Sequence, residues 1–241
     1  MVDFANRHVV VTGGTGALGR AVVGALRAAR AVCHVPNLLA AELAGFPFAA
    51  DAGVHVTRGV DVADEAAVQR FYRALPPLWA SVHLAGGFAM APIAEISAAD
   101  FTAQFQMNAL TTFLCSAAAV TAFRARGATA GGGVPGGRIV NVSARPAIEP
   151  RLGAGMIAYT ASKSAVAALT QALAQELTDE QIWVNAVAPS VLDTPANRAA
   201  MPDADYSRWV SPTDLAELIT FLASPDNRAT RGAVIPVYGG S

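Results

Sequence analysis

Lysine is almost absent from this chain, whose 241 residues include sixteen arginines and a single lysine, Lys163. Charged residues make up only 15% of the sequence, and the net charge is −1. Because there is no basic cluster, the sequence lacks the electrostatic footprint of a nucleic-acid surface, and we expect no nucleic-acid partner. The hydrophobic fraction of 53% indicates a large buried core, and the length predicts one domain, residues 1–241.

Cysteines and long apolar runs are scarce as well. Cys33 and Cys115 are far apart and not in metal-ligand spacing, so we expect buried thiols in a reducing compartment and no metal site. No apolar segment reaches membrane-spanning length, and residues 1–8 lack a basic stretch followed by an apolar one. These absences predict a cytoplasmic protein that does not associate with membranes.

The lone lysine follows a tyrosine at a distance of four residues. Within a helix, Tyr159 and Lys163 would lie one turn apart on the same face. An ammonium near a phenol favours the phenolate, and a lysine can join a proton relay that an arginine cannot. The pair therefore predicts a tyrosine that acts as general acid or base. The alternative is a solvated helix charge without a chemical role.

A glycine-rich segment near the start of the chain has the pattern of a phosphate-binding turn. The β-branched run 9–11 leads into residues 12–19, Thr-Gly-Gly-Thr-Gly-Ala-Leu-Gly, and an apolar helical pattern follows over 21–26. Glycines let the backbone approach a pyrophosphate, and a helix amino terminus offers unpaired N–H groups. Strand, turn and helix together predict a dinucleotide site.

Short apolar segments alternate with helical stretches along the whole chain. After the first strand, the predicted strands are residues 31–35, 54–56, 81–84, 138–142, 183–188 and 233–237. This alternation predicts an α/β fold, a Rossmann-type doubly wound parallel sheet of about seven strands with helices on both faces. Ligands of such sheets bind outside the carboxyl ends of the strands. The glycine-rich stretch 127–137 predicts a surface loop.

Taken together with these features, several further segments resemble the short-chain dehydrogenase/reductase family over almost the whole chain. Residues 84–87, Leu-Ala-Gly-Gly, stand in the place of its Asn-Asn-Ala-Gly motif, and 185–195 is similar to the segment that holds the nicotinamide carboxamide. Asn108 matches the asparagine that holds a water in the family's proton relay. The resemblance implies hydride transfer between nicotinamide and a carbonyl- or imine-type carbon of a small-molecule substrate.

The resemblance also implies roles for individual residues. Tyr159 would give or take the proton, and Lys163 would bond the nicotinamide ribose and lower the pKa of Tyr159. The implied catalytic set is Tyr159, Lys163, Asn108 and Ser143. The residues implied to contact NAD or NADP are Gly13, Thr15, Gly16, Ala17, Leu18, Gly19, Asn37, Asp61, Val62, Ala85, Gly86, Gly87, Tyr159, Lys163, Pro189, Val191 and Thr194.

Two departures from the family pattern concern the cofactor. Ala17 stands where many members have a glycine, and we expect an altered phosphate turn that still binds. Asn37 stands where an acidic residue usually grips the ribose hydroxyls. An amide can hydrogen-bond a ribose but neither repels nor neutralises a 2′-phosphate. We therefore expect modest selectivity between the two cofactors, with NAD favoured over NADP.

A third departure concerns the catalytic serine. Ala144 fills the position that normally supplies it, and Ser143 falls one residue earlier. The first alternative is that Ser143 substitutes for the missing donor, which would steady a developing alkoxide. The second is that Ser143 is a strand-end hydroxyl satisfied by the backbone. If the donor is missing, the substrate is one that does not need it.

The carboxyl-terminal third is similar to quinonoid dihydropteridine reductase, most clearly in residues 192–209, within an expected substrate lid at about 193–212. Phe88 stands where that enzyme has an aromatic residue beside its substrate. The conjugated, imine-like ring of that substrate accepts hydride without building a full alkoxide, which is coherent with Ala144. The alternative for residues 192–209 is a generic mobile lid.

Three functions remain open at this point. They are a broad carbonyl reductase, a dihydropteridine-reductase-like enzyme, and a catalytically degenerate nucleotide-binding regulatory protein, which Ala144 supports. The intact Tyr159, Lys163 and Asn108 weigh against the third. The helix after Gly155 is rich in alanine, and we expect its small face to pack against a second copy of the chain in a homodimer or homotetramer.

Overall fold

A seven-stranded sheet lies at the centre of the computed structural model, which describes residues 2–129 and 134–240. Its strands are β1 His8–Thr12, β2 Val32–Asn37, β3 Val54–Arg58, β4 Leu78–His83, β5 Gly137–Val142, β6 Ile182–Pro189 and β7 Val234–Val237. All neighbours are parallel, in the order β3-β2-β1-β4-β5-β6-β7. The predicted Rossmann-type fold class is confirmed.

Helices cover both faces of this sheet. They are α1 Ala17–Ala28, α2 Glu65–Arg73, α3 Ala98–Phe105, α4 Thr111–Thr129, α5 Arg145–Ile148, α6 Ile157–Glu176, α7 Pro195–Ala200 and α8 Pro212–Ala223. One apolar core packs α1 and α8 against the sheet, and a second packs α2, α4 and α6 against the opposite face. Parallel neighbouring strands need crossover connections, and the helices of these connections pack on the faces of the sheet.

The valine run of β1 shows why the strands are apolar throughout. Val9 and Val11 belong to the core under α1 and α8, whereas Val10 belongs to the core under α2 and α4. All three are fully buried. Because helices cover both faces, consecutive residues of a central strand are all buried, and the sequence reads as a continuous run instead of an alternation.

Some predicted boundaries need correction. β4 begins at Leu78, three residues before the predicted start, because Leu78 and Ala80 are fully buried and pair with β1. In the stretch predicted as a loop, 127–137, α4 continues to Thr129 and β5 begins at Gly137. Residues 130–133 lie outside the described part of the chain.

A chain of buried polar side chains links α2, β4, β5 and α6. Asn141 donates its amide N–H to Thr170 Oγ1 at 2.9 Å, so its carbonyl oxygen accepts from Nδ1 of His83 at 2.8 Å. Nε2 of the same imidazole therefore accepts from the Ser81 hydroxyl at 2.8 Å, and Ser81 accepts from Tyr72 at 2.8 Å. Each buried group has a partner, which fixes how β5 and α6 sit against each other.

Three of the four histidines form a ladder across the first three strands. His8 Nδ1 and His34 Nε2 lie 2.9 Å apart, and the rings of His34 and His55 stack with centroids 5.1 Å apart. His34 is buried in the middle and His55 is exposed. Burial lowers the pKa of His34 to about 4, so its imidazole is neutral at physiological pH.

Cys33 and Cys115 are both buried free thiols, as the sequence indicates, and burial raises the pKa of each to about 12. Within 2–129 and 134–240, no group of three or more His, Cys, Asp or Glu side chains is placed to hold a metal ion. The same ranges contain no helix that is long and apolar enough to cross a membrane.

Candidate active site

The glycine turn connects the end of β1 to the start of α1. Gly13 has a φ of +64°, and a Cβ there would lie 2.8 Å from the backbone nitrogen of Ala85. A Cβ at Gly19 would lie 2.1 Å from the carbonyl oxygen of Gly13. Glycine is therefore required at both positions, for a left-handed conformation and for close backbone approach. The amino terminus of α1, beginning at Ala17, opens toward the space beside this turn.

A cleft of about 650 Å³ runs along the carboxyl ends of β1, β2 and β4. The predicted dinucleotide contacts that line it are Gly13, Thr15, Gly16, Ala17, Leu18, Gly19, Asn37, Asp61, Val62, Ala85 and Gly86. The predicted contacts that do not line it are Gly87, Tyr159, Lys163, Pro189, Val191 and Thr194. The fold brings the adenosine side of the predicted site together in one cavity, while the second group lies at the ends of β4, β6 and on α6.

Glu42 is a cleft residue that the sequence did not indicate. It lies in a short 3-10 turn, Ala40–Leu43, after β2. Its carboxylate accepts from the Thr15 hydroxyl at 2.6 Å, and Asn37 Nδ2 lies 3.4 Å from both the carboxylate and Thr15 Oγ1. A carboxylate therefore lies beside Asn37, from five residues further along the chain.

Tyr159 and Lys163 lie one turn apart in α6, next to the end of β5. The Lys163 ammonium donates to the carbonyl oxygen of Val142 at 2.9 Å and is buried. Burial lowers the pKa of Lys163 to about 8 and raises the pKa of Tyr159 to about 12. Desolvation penalises the charged form of each group, the ammonium and the phenolate alike.

The expected lowering of the phenol pKa by Lys163 is therefore not what the structure shows. Burial is the cause that acts on Tyr159, and it shifts the pKa upward. The Lys163 ammonium is bonded to a backbone carbonyl instead of the phenol. Spacing along a helix predicts which face two side chains share, but not which partner each of them chooses.

The side chain of Asn108 links the loop after β4 to α6 through hydrogen bonds. It lies in a π-helical segment, Gln106–Leu110, and is fully buried. Its carbonyl oxygen accepts from Gly87 N at 3.1 Å, and its amide nitrogen donates to Gly87 O at 3.1 Å and to Ser162 Oγ at 3.2 Å. A Cβ on Gly86 would lie 2.6 Å from Asn108 Oδ1 and 3.5 Å from Lys163 Nζ. A glycine at position 86 therefore leaves the space in which the Asn108 amide lies against the backbone, near the Lys163 ammonium.

Ser143 and Ala144 follow the end of β5. The Ser143 hydroxyl donates to the main-chain carbonyl of Lys163 at 2.8 Å, and no hydrogen bond joins it to the phenol of Tyr159. Both Ser143 and Ala144 are buried. This orientation differs from that of a donor aimed at a substrate oxygen beside Tyr159, because the hydroxyl is committed to the backbone of α6.

An aromatic ring borders Tyr159 on the open side of the site. The rings of Phe88 and Tyr159 meet edge to face, with centroids 4.9 Å apart at an interplanar angle of 84°. Phe88 is 56% exposed, so most of its surface is available to another molecule. A backbone bond from Ala91 N to Gly155 O, at 2.9 Å, holds the loop carrying Phe88 against the start of α6.

The segment after β6 carries the remaining predicted contacts. Pro189 is the last residue of β6, and the carbonyl of Val191 accepts from Val210 N at 2.9 Å, which closes residues 191–210 into a loop. Within that loop, Thr194 caps α7 by accepting from Asn197 N at 3.2 Å. The predicted lid at 193–212 thus contains α7 and a short 3-10 turn before α8 begins.

A doubly wound parallel sheet with a glycine turn after its first strand and a tyrosine–lysine pair beside its fifth defines a class, the Rossmann-type oxidoreductases. The sequence model of the short chain dehydrogenase family matches residues 7–205. The chain belongs to the short-chain dehydrogenase family, which confirms the family resemblance seen in the sequence.

Comparison with individual proteins agrees with this membership. The chain is 32% identical to a short-chain type dehydrogenase/reductase of Picea abies, over 97% of this chain and 92% of that protein. It is 30% identical to L-xylulose reductase of Bos taurus, over 98% of this chain and 97% of that protein. Among solved structures, a short-chain type dehydrogenase/reductase from Mycobacterium ulcerans superimposes with a TM-score of 0.87 at 26% identity, covering 99% of this chain and 90% of that chain.

Proposed function

We propose that this chain transfers hydride between a nicotinamide dinucleotide and a carbonyl- or imine-type carbon of a small molecule, with Tyr159 as general acid or base. The observation that carries the proposal is the placement of Tyr159 and Lys163 on one face of α6, beside the loop that Asn108 fastens. The cleft that is lined by the glycine turn and the strand ends begins beside that loop. Binding and proton transfer would thus occur at one edge of the sheet.

The residues present fit a dinucleotide. Backbone at Gly13 and Gly16 leaves room for a pyrophosphate beside the amino terminus of α1, where unpaired N–H groups attract anions. Asn37 Oδ1 is buried without a hydrogen-bond partner among the residues that the structure describes, and a ribose hydroxyl would satisfy it. Asp61 and Val62 would lie against the adenine. The bound cofactor, NAD or NADP with NAD favoured, supplies or accepts the hydride.

The protein's own groups would handle the proton. With a pKa of about 12, Tyr159 holds its proton at neutral pH and is prepared to act as an acid when a carbonyl is reduced. Lys163 would bond the nicotinamide ribose, and its lowered pKa makes it able to exchange a proton, which an arginine at this position could not do. Asn108 would hold Gly86 and Gly87 against the cofactor, and Pro189, Val191 and Thr194 would border the carboxamide.

Two observations bear on the substrate. Ser143 is turned to the backbone and Ala144 offers no donor, so Tyr159 would be the hydroxyl that protonates the carbonyl oxygen or imine nitrogen while the hydride goes to the carbon. Phe88 supplies an exposed aromatic edge beside it. Both favour, as a second candidate, a dihydropteridine-reductase-like enzyme acting on a flat conjugated ring, whereas the bovine relative's name indicates reduction of a keto sugar and supports the carbonyl candidate.

The test is Tyr159→Phe, assayed by nicotinamide absorbance with both reduced cofactors on ketones, keto sugars and quinonoid dihydropterin. We expect turnover to fall by about a hundredfold or more because one proton-transfer group is lost. Nucleotide affinity, measured by fluorescence, should stay within about threefold of wild type. Tyr72→Phe, which deletes a buried phenol away from the cleft, should keep wild-type turnover.

Two outcomes would count against the proposal. Near-normal turnover in Tyr159→Phe on the best substrate would exclude Tyr159 as the acid. Tight nucleotide binding by the wild-type protein without turnover of any compound would favour the remaining alternative, a degenerate nucleotide-binding regulatory protein.

A further inference from the structure

We propose that Glu42 reads the adenosine ribose in this chain, by accepting hydrogen bonds from the free 2′,3′-diol and repelling a 2′-phosphate. The inference rests on the proposed binding of a nicotinamide dinucleotide. In doubly wound sheets the ribose lies beside the carboxyl end of β2, between that strand and the glycine turn. Glu42 reaches this place from outside the strand, with its carboxylate 2.6 Å from Thr15 Oγ1.

Asn37 supplies a second acceptor at the same place. Its Nδ2 lies 3.4 Å from the Glu42 carboxylate, which can only accept, so the amide nitrogen faces Glu42 and the amide oxygen points away. That oxygen is buried and has no partner among the described residues. A buried acceptor without a donor is unfavourable unless a ligand supplies one.

The ribose region therefore presents acceptors, the Glu42 carboxylate and Asn37 Oδ1. A free diol offers two O–H donors and matches this set. A 2′-phosphate replaces one of these donors by oxygens with negative charge, so it would place like charges together and leave a single O–H donor for the two acceptors. The described residues that line the cleft include no lysine or arginine, and the guanidinium of Arg20 beside it is already bonded to three backbone carbonyls. Arg58, the register partner of Asn37, lines a separate depression with His34.

Arg20 holds the turn that carries Glu42. Its guanidinium donates to Thr15 O at 2.8 Å, to Gly45 O at 3.1 Å and to Glu42 O at 3.3 Å. One planar side chain thus ties the glycine turn to the turn after β2 through backbone carbonyls. The carboxylate of Glu42 is positioned by the fold and does not depend on its own side-chain contacts alone.

The experiment measures binding without hydride transfer. ADP-ribose and 2′-phospho-ADP-ribose, which differ only at the ribose that Glu42 would read, are titrated calorimetrically into wild-type protein, Glu42→Gln and Glu217→Gln. Glu217 is an exposed acid on α8 and serves as the charge-matched control. NADH is titrated in parallel to test the dinucleotide site itself.

Because Glu42 adds a charge that Asn37 lacks, we expect a stronger preference than the modest one inferred from Asn37 alone: wild type should bind ADP-ribose about a hundredfold more tightly than its 2′-phospho form. Glu42→Gln keeps the size of the side chain and removes its charge, so this ratio should fall by about tenfold or more, while Glu217→Gln keeps it. Glu42→Asp, which retains the charge, should keep more of the preference than Glu42→Gln. Melting curves of all variants verify that each is folded.

The outcomes separate the two proposals. The role of Glu42 is overturned if wild type prefers ADP-ribose to its 2′-phospho form by less than about tenfold, or if folded Glu42→Gln keeps the wild-type ratio of affinities. In either case, binding of NADH would leave the proposed function standing. If the wild-type protein binds neither NADH nor ADP-ribose, the dinucleotide site itself is wrong, and the inference about Glu42 falls with it.

Discussion

The hydroxyl of Ser143 donates to the main-chain carbonyl of Lys163 at 2.8 Å. In the opposite direction, Nζ of Lys163 donates to the carbonyl of Val142 at 2.9 Å. The end of β5 and the first half of α6 therefore exchange two hydrogen bonds, which hold the lysine at its backbone and at its head. The Ser143 hydroxyl is therefore bonded to the helix that carries Tyr159.

Ser143→Ala should accordingly leave turnover within about threefold of wild type, since no proton donor to the substrate is removed. The free energy of unfolding should fall by about 1 kcal/mol because one buried hydrogen bond is lost. Urea unfolding and steady-state kinetics on the same preparations check both values. A tenfold or greater loss of turnover at unchanged stability would restore Ser143 as a catalytic donor.

Ala144→Ser is the complementary change, because it places a hydroxyl at the position that the family pattern assigns to the donor. Turnover of simple ketones should rise by about tenfold or more, as one added donor stabilises the developing alkoxide. Ala144→Cys, with a side chain of similar size but a weak donor, is the control and should give no such gain. Equal rates in all three proteins would show that the reaction builds little charge on oxygen.

Lys163→Arg keeps the positive charge but should reduce turnover by about a hundredfold or more. The planar guanidinium is larger than the buried ammonium, and it holds its proton too tightly to exchange one. Nucleotide affinity should weaken as well, which fluorescence titration measures. Arg228→Lys, the reverse exchange at an exposed site, is the control and should change neither quantity.

Lowering the pH should reduce the free energy of unfolding already at pH values above those at which carboxylates titrate. Burial lowers the pKa of His34 and His83 from 6.5 to about 4. The unfolded chain therefore binds more protons than the folded one between pH 6.5 and 4, so stability is full above this window and falls as the pH decreases through it. Each histidine contributes on the order of 3 kcal/mol.

Urea unfolding at a series of pH values measures this loss. His34→Gln should remove a part of the drop between pH 6.5 and 4, because one of the two groups no longer titrates. His55→Gln, at the exposed end of the histidine ladder, is the matched control and should keep most of it. A free energy of unfolding that stays flat over this window in wild type would contradict the prediction.

The chain should form at least a two-fold dimer through α4 and α6. Ala161, Ala165, Ala168 and Ala172 recur at helical spacing on α6 and are partly or fully exposed, and Phe113 on α4 is 50% exposed. Light scattering at micromolar concentration should give twice the chain mass or more. Phe113→Glu should shift the species to monomer, whereas Phe221→Glu on α8 should keep at least a dimer. A wild-type monomer would contradict this expectation.

The sequence was most informative where local spacing determines geometry. The glycine turn requires Gly13 for its left-handed backbone, and the four-residue step from Tyr159 to Lys163 fixes a shared helix face, so both could be recognised from the residues alone. The alternation of strands and helices likewise predicted the parallel sheet, because crossover connections leave few other arrangements.

Other features depend on how distant segments meet. Glu42 lies in an irregular turn without periodicity, and its position beside Thr15 depends on how Arg20 ties two loops together. The direction of the Ser143 hydroxyl depends on a carbonyl of α6, twenty residues away. The raised pKa of Tyr159 reflects its burial in the folded chain, which the spacing of two residues along a helix does not reveal.

Because Lys163 is the single lysine of the sequence, chemical modification of lysine reports on this one position. Its ε-amine is the one side-chain primary amine in the sequence, and a pKa of about 8 leaves much of it uncharged in mildly alkaline buffer, where an acylating reagent attacks amines. A single mass increment on the peptide that carries it would therefore report how often the active site opens to solvent. Protection of that peptide by a bound nucleotide would measure occupancy without any substrate or engineered residue.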